Sequence, residues 1–177
     1  MKPLAVAAVL LLAGAAFPKS GLEAGKPIPA LKVFDSTGKH KGKNVDYAAL
    51  RGEKPTLYVF IKELDRPQAR FLRALDGYVA EHAKQGLYCV AVFMHKDDPE
   101  AIKQHLPRIQ KSIKLQGTAM VANPRGRQPP NDWGIDPEVF VTVVIANHGK
   151  AVQSFDYLSV NETDAPAVIK VLEKTLK

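Results

Sequence analysis

Two uninterrupted apolar runs constrain the fold more than any other feature of this chain. The first is Thr56–Ile61 and the second covers residues 87–94, and β-branched and aromatic side chains are frequent in both. A strand that is apolar along its whole length is buried on both faces, as in the parallel sheet of an α/β protein. Between the runs, Pro67 opens a segment with apolar residues at helical spacing, and Gly86 closes it. The sequence therefore predicts a β-α-β unit at the centre of the domain.

Further strands and helices extend this unit on both sides. Thr118–Ala122 predicts a third central strand, and residues 139–146 and 151–157 predict a C-terminal antiparallel hairpin around an Asn-His-Gly-Lys turn. The fold class is thus α/β, a mixed sheet with a parallel core flanked by helices. An N-terminal β-hairpin is predicted with a strand at residues 31–34 and a turn at 35–38, and two further helices are predicted, one starting at Pro99 behind an Asp97 or Asp98 cap and a last one capped by Thr163 or Asp164. In the loop at 123–137, Trp133 is predicted to cover the sheet edge; the alternative is an exposed recognition loop with Arg125 and Arg127.

The N-terminal residues have the three-part pattern of a secretory signal peptide. Lys2 supplies a positive charge, residues 4–12 are apolar, and small residues follow. The apolar run is too short to span a membrane, which takes about 20 residues. We expect residues 1–16 to be a cleaved signal peptide, residues 17–30 an extended segment, and residues 31–177 one domain. No later stretch is long enough to span a membrane, so the expected location is secreted or periplasmic.

The amino-acid composition excludes several classes of function. The 177 residues are 46% hydrophobic and 24% charged, enough for one hydrophobic core. Cys89 is the only cysteine, which excludes an intramolecular disulfide, a CxxC redox pair and a cysteine-rich zinc site. The five histidines show no metal-binding spacing, and we expect no metal and no cofactor.

The net charge of +7 concentrates partly in residues 39–43, which hold three lysines and a histidine. This cluster predicts a solvated hairpin tip, and binding of an anionic envelope polymer is a weaker alternative. No aromatic residue lies within the cluster to stack on bases, so we expect no nucleic-acid partner.

Several stretches, together with the order of elements, resemble one known family. They are residues 44–55, 56–60, 87–92, 133–135, 141–150 and 161–163. Between residues 27 and 177 the chain resembles the thioredoxin fold, and in particular a secreted bacterial subgroup of its redoxin branch that lacks the CxxC active site. The resemblance implies a central mixed sheet with the family's active site after the strand Thr56–Ile61.

At that position the chain departs from the family's motif. In redox-active members a Cys-Pro-Pro-Cys type motif opens the helix, and the matching positions here are Asp65 and Gln68, with Pro67 retained. A carboxylate cannot attack a disulfide or a peroxide as a thiolate does. We expect Asp65 to cap the helix by accepting backbone N–H groups with its carboxylate. The family's cis-proline position falls on Phe140 or Val141.

These features predict a secreted, monomeric thioredoxin-like domain without thiol-disulfide catalysis. It would bind an unidentified protein or small ligand of the cell envelope. The predicted binding residues are Asp65, Arg66, Pro67, Gln68 and Val141. Fold alone does not determine function, so this interpretation rests on the residues that replace the active site.

The alternative is an enzyme, a single-cysteine thiol oxidoreductase or peroxidase that uses Cys89. The neighbours of Cys89 in the chain are apolar, and no cation adjoins it in sequence to stabilise a thiolate. These surroundings favour a buried structural cysteine over a nucleophile.

Overall fold

The computed structural model describes residues 20–96 and 98–177, in which seven strands form a single open sheet. The proposed signal peptide and Asp97 lie outside the described residues. The strands are β1 (Lys32–Asp35), β2 (Lys43–Asp46), β3 (Thr56–Ile61), β4 (Tyr88–Phe93), β5 (Thr118–Ala122), β6 (Val141–Asn147) and β7 (Lys150–Tyr157). The helices are α1 (Tyr47–Arg51), α2 (Arg66–Glu81), α3 (Pro99–Ile113) and α4 (Ala165–Thr175).

The sheet is mixed, as predicted, with the order β2-β1-β5-β4-β3-β6-β7. Its centre is parallel, because β4 pairs in parallel with both β3 and β5. The C-terminal hairpin joins one side through antiparallel pairing of β6 with β3. The N-terminal hairpin joins the other side, where β1 runs antiparallel to β5. Both hairpins thus extend the parallel core, and the predicted α/β architecture is confirmed.

Alternating side chains of β3 supply two hydrophobic cores. Leu57, Val59 and Ile61 belong to the core under α2, α3 and α4. Tyr58 and Phe60 belong to the core on the opposite face, where the N-terminal segment, α1 and the loop after β5 cover the sheet. Every residue of β3 is therefore buried, which explains its unbroken apolar sequence.

Trp133 covers a face of the sheet, so the predicted position at its edge is wrong. Its ring lies 5.0 Å from that of Tyr58 and 4.9 Å from that of Phe60, both on the central strand β3. The indole Nε1 donates a hydrogen bond to the Ala30 carbonyl oxygen at 3.2 Å. This bond satisfies the only polar atom of the fully buried side chain.

One helix boundary and one helix differ from the sequence prediction. Helix α2 ends at Glu81, and Gly86 instead terminates a short 3₁₀ turn (Ala83–Gln85) with a φ of 86°. Residues 47–51, for which no helix was predicted, form α1, because the Asp46 carboxylate accepts from the N–H groups of Ala48 and Ala49. Asp98 caps α3 in the predicted manner, accepting from Glu100 N. Among the described residues, no helix is both long and apolar enough to cross a membrane.

Candidate functional site

The position that the resemblance matches to an active site is a turn between β3 and α2. Strand β3 ends at Ile61 and α2 begins at Arg66, so four residues connect them. The Lys62 N–H donates to the Phe140 carbonyl oxygen at 3.1 Å, which places the residue before β6 beside this turn. The structure therefore brings together the two segments that the sequence analysis singled out.

Asp65 occupies the N-cap position of α2, but its carboxylate does not cap the helix. Its backbone is extended (φ −87°, ψ 178°) and its side chain makes no capping hydrogen bond. The predicted acceptor role of this carboxylate is wrong, because the side chain points to solvent instead. Asp65, Arg66 and Pro67 are all exposed. They present a carboxylate, a guanidinium and a rigid ring on one turn of chain.

Gln68 and Val141 are buried, so neither belongs to the exposed part of the predicted binding site. Gln68 lies on the inner side of the first turn of α2, and its Oε1 has no hydrogen-bond partner among the described residues. Val141 pairs with Ile61 and Tyr157 and belongs to the core under α2. Neither side chain is available to a partner at the surface. Phe140, the other residue considered at this position, is 36% exposed.

Lys62 is a residue of this region that the sequence analysis missed. Its side chain is buried, and its Nζ lies 5.9 Å from the centroid of the Phe140 ring. Burial lowers the pKa of Lys62 below its ordinary value, and the nearby Glu138 carboxylate partly opposes this shift. The sequence did contain a signal for Lys62, because a lysine that directly follows a buried apolar strand must lie at the end of that strand, where the predicted site begins.

An ion pair closes one side of the turn. Arg127 Nη2 lies 3.1 Å from Glu63 Oε1 and joins the loop after β5 to the β3–α2 connection. Both side chains are partly exposed, so the pair contributes little to stability but limits the positions of the two loops. We call the group formed by Glu63, Asp65, Arg66, Pro67 and Phe140 with this ion pair the β3–α2 surface.

Cys89 lies away from the β3–α2 surface. It is fully buried, in register with Leu57 of β3 and Thr118 of β5. Leu57 precedes Ile61 by four residues, so Cys89 is ~13 Å along the sheet from the end that carries the site. Burial raises the pKa of the Cys89 thiol to about 12. The thiol is thus protonated at neutral pH and inaccessible in the native fold.

The β3–α2 surface offers binding groups and no nucleophilic sulfur. Its exposed residues supply both charges, a proline and an aromatic ring. Across residues 20–96 and 98–177, no three His, Cys, Asp or Glu side chains are grouped so that they could hold a metal ion. The described residues of this surface carry charged and aromatic side chains and no sulfur.

No family model matches the chain, and no curated protein matches it in sequence. Solved structures do match its fold. One described as a thiol:disulfide interchange protein DsbE from Chlorobium tepidum has a TM-score of 0.68 at 16% identity, covering 88% of this chain and 99% of that one. Peroxidoxin BcpB from Mycobacterium tuberculosis has a TM-score of 0.64 at 10% identity and coverages of 86% and 97%.

A peroxiredoxin-like protein from Aquifex aeolicus adds a third match, with a TM-score of 0.55, 17% identity and coverages of 88% and 90%. At such low identities these matches establish the fold alone. That fold is thioredoxin-like, as the resemblance implied.

Proposed function

Starting from a thioredoxin-like fold, we propose that this chain binds a protein or small ligand of the cell envelope through its β3–α2 surface, without thiol-disulfide catalysis. One observation carries the proposal. The positions that match the family's two cysteines hold an exposed Asp65 and a buried Gln68, while the only cysteine is buried elsewhere in the sheet. This part of the fold therefore carries exposed charged and aromatic side chains but no sulfur.

The exposed groups of this surface suit recognition of another molecule. Arginine and aromatic side chains contribute most to binding energy in protein interfaces, and here Arg66 and Phe140 are both exposed. Lys62 lies against the Phe140 ring and Arg127 holds Glu63, so the two loops are positioned before a partner arrives. Such preorganisation lowers the entropic cost of binding.

Export to the secreted or periplasmic space is part of the proposal. It is supported by the signal-peptide pattern of residues 1–16 and by the resemblance to secreted redoxin-type proteins. We further propose that the exported protein acts as a monomer.

A matched pair of charge reversals on α2 tests the binding surface. The purified protein, tagged at its C-terminus, is used to capture partners from envelope extract, and the captured partner is then titrated against each variant. Arg66→Glu changes the β3–α2 surface, whereas Arg73→Glu makes the same charge change at an exposed position seven residues further along the helix. We expect Arg66→Glu to weaken binding at least tenfold and Arg73→Glu to leave it within about twofold. Equal binding by all three proteins would place the partner elsewhere.

The alternative, a thiol enzyme using Cys89, needs an accessible thiolate. Full burial and a pKa raised to about 12 both oppose that role. The reactivity of this thiol in the native protein separates the two functions.

A further inference from the structure

A basic cleft lies at the opposite end of the sheet from the β3–α2 surface. Two adjoining cavities of about 190 and 310 Å³ open where β3 and β4 begin. Both are lined by Lys39, Arg51, Lys54 and Tyr88, which define what we call the basic cleft. The six residues of β3 rise ~20 Å, so this cleft and the β3–α2 surface are separate sites.

The cleft is lined by three cationic side chains and by no acidic one among the described residues. His40 adds a fourth basic group to the smaller cavity. Within the described part of the chain, Lys39, Arg51 and Lys54 form no ion pair. Three cations that converge on one concavity repel each other, and an anion placed between them would relieve this repulsion.

Among the described residues, Arg51 donates hydrogen bonds only to neutral groups. Its guanidinium donates from Nε to Thr56 Oγ1 at 2.9 Å and from Nη2 to the carbonyl oxygens of Pro55 and Gly86. All three acceptors are neutral, and Nη1 makes no hydrogen bond among the described residues. The guanidinium carbon lies 5.1 Å from the centroid of the Tyr88 ring, in the range of a cation–π contact. Arg51 is therefore partly buried, held in one orientation, and left with an unused donor.

The loop that carries Lys39 is also held in place. The buried Asp35 carboxylate accepts from the N–H groups of Thr37, Gly38 and His40 and from the Tyr47 hydroxyl, at 2.6 to 3.0 Å. These four hydrogen bonds of Asp35 hold the loop after β1 against α1. Lys39 Nζ lies 5.8 Å from the centroid of the Tyr88 ring, on which Arg51 also lies. The cationic groups are thus arranged before any ligand binds.

We propose that the basic cleft binds a small phosphorylated molecule. A phosphate monoester carries nearly two negative charges at neutral pH and several acceptor oxygens, which suits three cations and a free guanidinium nitrogen. The combined cavities have the size of a small-molecule site. An extended polymer would instead use the whole basic run, but neither Lys41 nor Lys43 lines the cavities. The phosphate sits between Lys39, Lys54 and Arg51 Nη1.

Calorimetric titration with inorganic pyrophosphate tests this site. The wild-type protein is compared with Lys54→Gln and Lys39→Gln, which remove cations of the cleft, and with Lys41→Gln, which removes the same charge from the same loop outside the cleft. All three lysines are exposed, so the variants should fold normally. We expect one saturable site, weakened about tenfold by each cleft variant, equivalent to 1.4 kcal/mol, and less than twofold by Lys41→Gln.

Amide chemical shifts locate the bound anion independently. Pyrophosphate should shift the signals of Gly86 and Gly117, which line the larger cavity, and leave those of Asp65 and Arg66 unchanged. Equal weakening by all three lysine variants, tighter binding of heparin than of pyrophosphate, or no saturable binding would each overturn the proposal. None of these results bears on the β3–α2 surface, whose test uses different residues and a different partner.

Discussion

The reactivity of Cys89 towards a thiol reagent decides between a binding protein and a thiol enzyme. The experiment adds dithionitrobenzoate to the native protein at pH 8 and follows the released thionitrobenzoate. With an ordinary pKa of 9.0, about 10% of the thiol would be thiolate at this pH. With a pKa of about 12, the fraction is about 0.01%. The raised pKa alone lowers the thiolate population by ~1000-fold.

Two routes to reaction remain, and both are slow. In the folded state the reagent cannot reach the sulfur, because Cys89 has no exposed surface between β3 and β5. If the protein must unfold first, a stability of only ~5 kcal/mol reduces the reactive population by more than 1000-fold. A higher intrinsic nucleophilicity at high pKa recovers only part of this loss. We expect labelling at least ~1000-fold slower than that of an exposed thiol.

The matched control is a second cysteine at an exposed position. Ser159→Cys changes one atom at a site outside the helices and strands. It should release one equivalent of thionitrobenzoate within minutes, while the wild-type protein releases its equivalent only in guanidinium chloride. Stoichiometric labelling of Cys89 in the native wild-type protein on the timescale of the control would refute the reasoning. Such labelling would also support the alternative function, a single-cysteine enzyme that uses Cys89.

Three further predictions follow from the hydrogen bonds and pKa shifts. Asp76→Ala should lower the free energy of unfolding, measured in urea, by about 3 kcal/mol. The reason is that the buried Asp76 carboxylate accepts hydrogen bonds from Gln116 N, Gly117 N and Thr118 Oγ1 at 2.7 to 2.8 Å. A loss below about 1 kcal/mol would contradict this prediction. Asp65→Ala should cost less than about 0.5 kcal/mol, since no capping bond is lost, and a cost near 2 kcal/mol would restore the capping role. Above about pH 8 the melting temperature should fall as the pH rises, because burial raises the pKa of the Cys89 thiol to about 12 and also raises the pKa values of Tyr47, Tyr58 and Tyr157, so that the unfolded chain ionises first. This stability is present below the unfolded pKa values and is lost as the pH approaches 12, so a melting temperature equal at pH 8 and pH 11 would contradict burial of these groups.

The parts of the fold that follow from local chemistry were predictable from the sequence. The apolar runs of β3 and β4 predict strands buried on both faces, since solvent-exposed positions in a strand would carry polar residues. Pro67 and Asp98 predict the starts of α2 and α3, because proline and aspartate suit the first turn of a helix. The absence of sulfur at positions 65 and 68 is likewise readable directly from the sequence.

The tertiary structure alone decided which of the predicted site residues are exposed. Val141 is the first residue of β6 and belongs to the core under α2, whereas Phe140 lies just before the strand and is 36% exposed. The first turn of α2 buries Gln68, whereas Asp65 at the N-cap points to solvent instead of back to the helix. The sequence shows that Asp65 is able to cap the helix, but only the structure shows that its carboxylate makes no capping hydrogen bond.

The basic cleft could not be predicted from the sequence either, because its residues are distant from one another along the chain. Lys39, Arg51 and Tyr88 stand far apart in the sequence, and each by itself reads as an ordinary surface or strand residue. Local sequence determines the hairpin, the short helix α1 and strand β4 that carry them. Only the pairing of β1 with β5 and of β4 with β3 and β5 brings those elements to one end of the sheet. Secondary structure is largely determined by residues that are neighbours in the sequence. A binding site is formed by residues that are distant in the sequence, and strand order and register determine which of these residues come into contact.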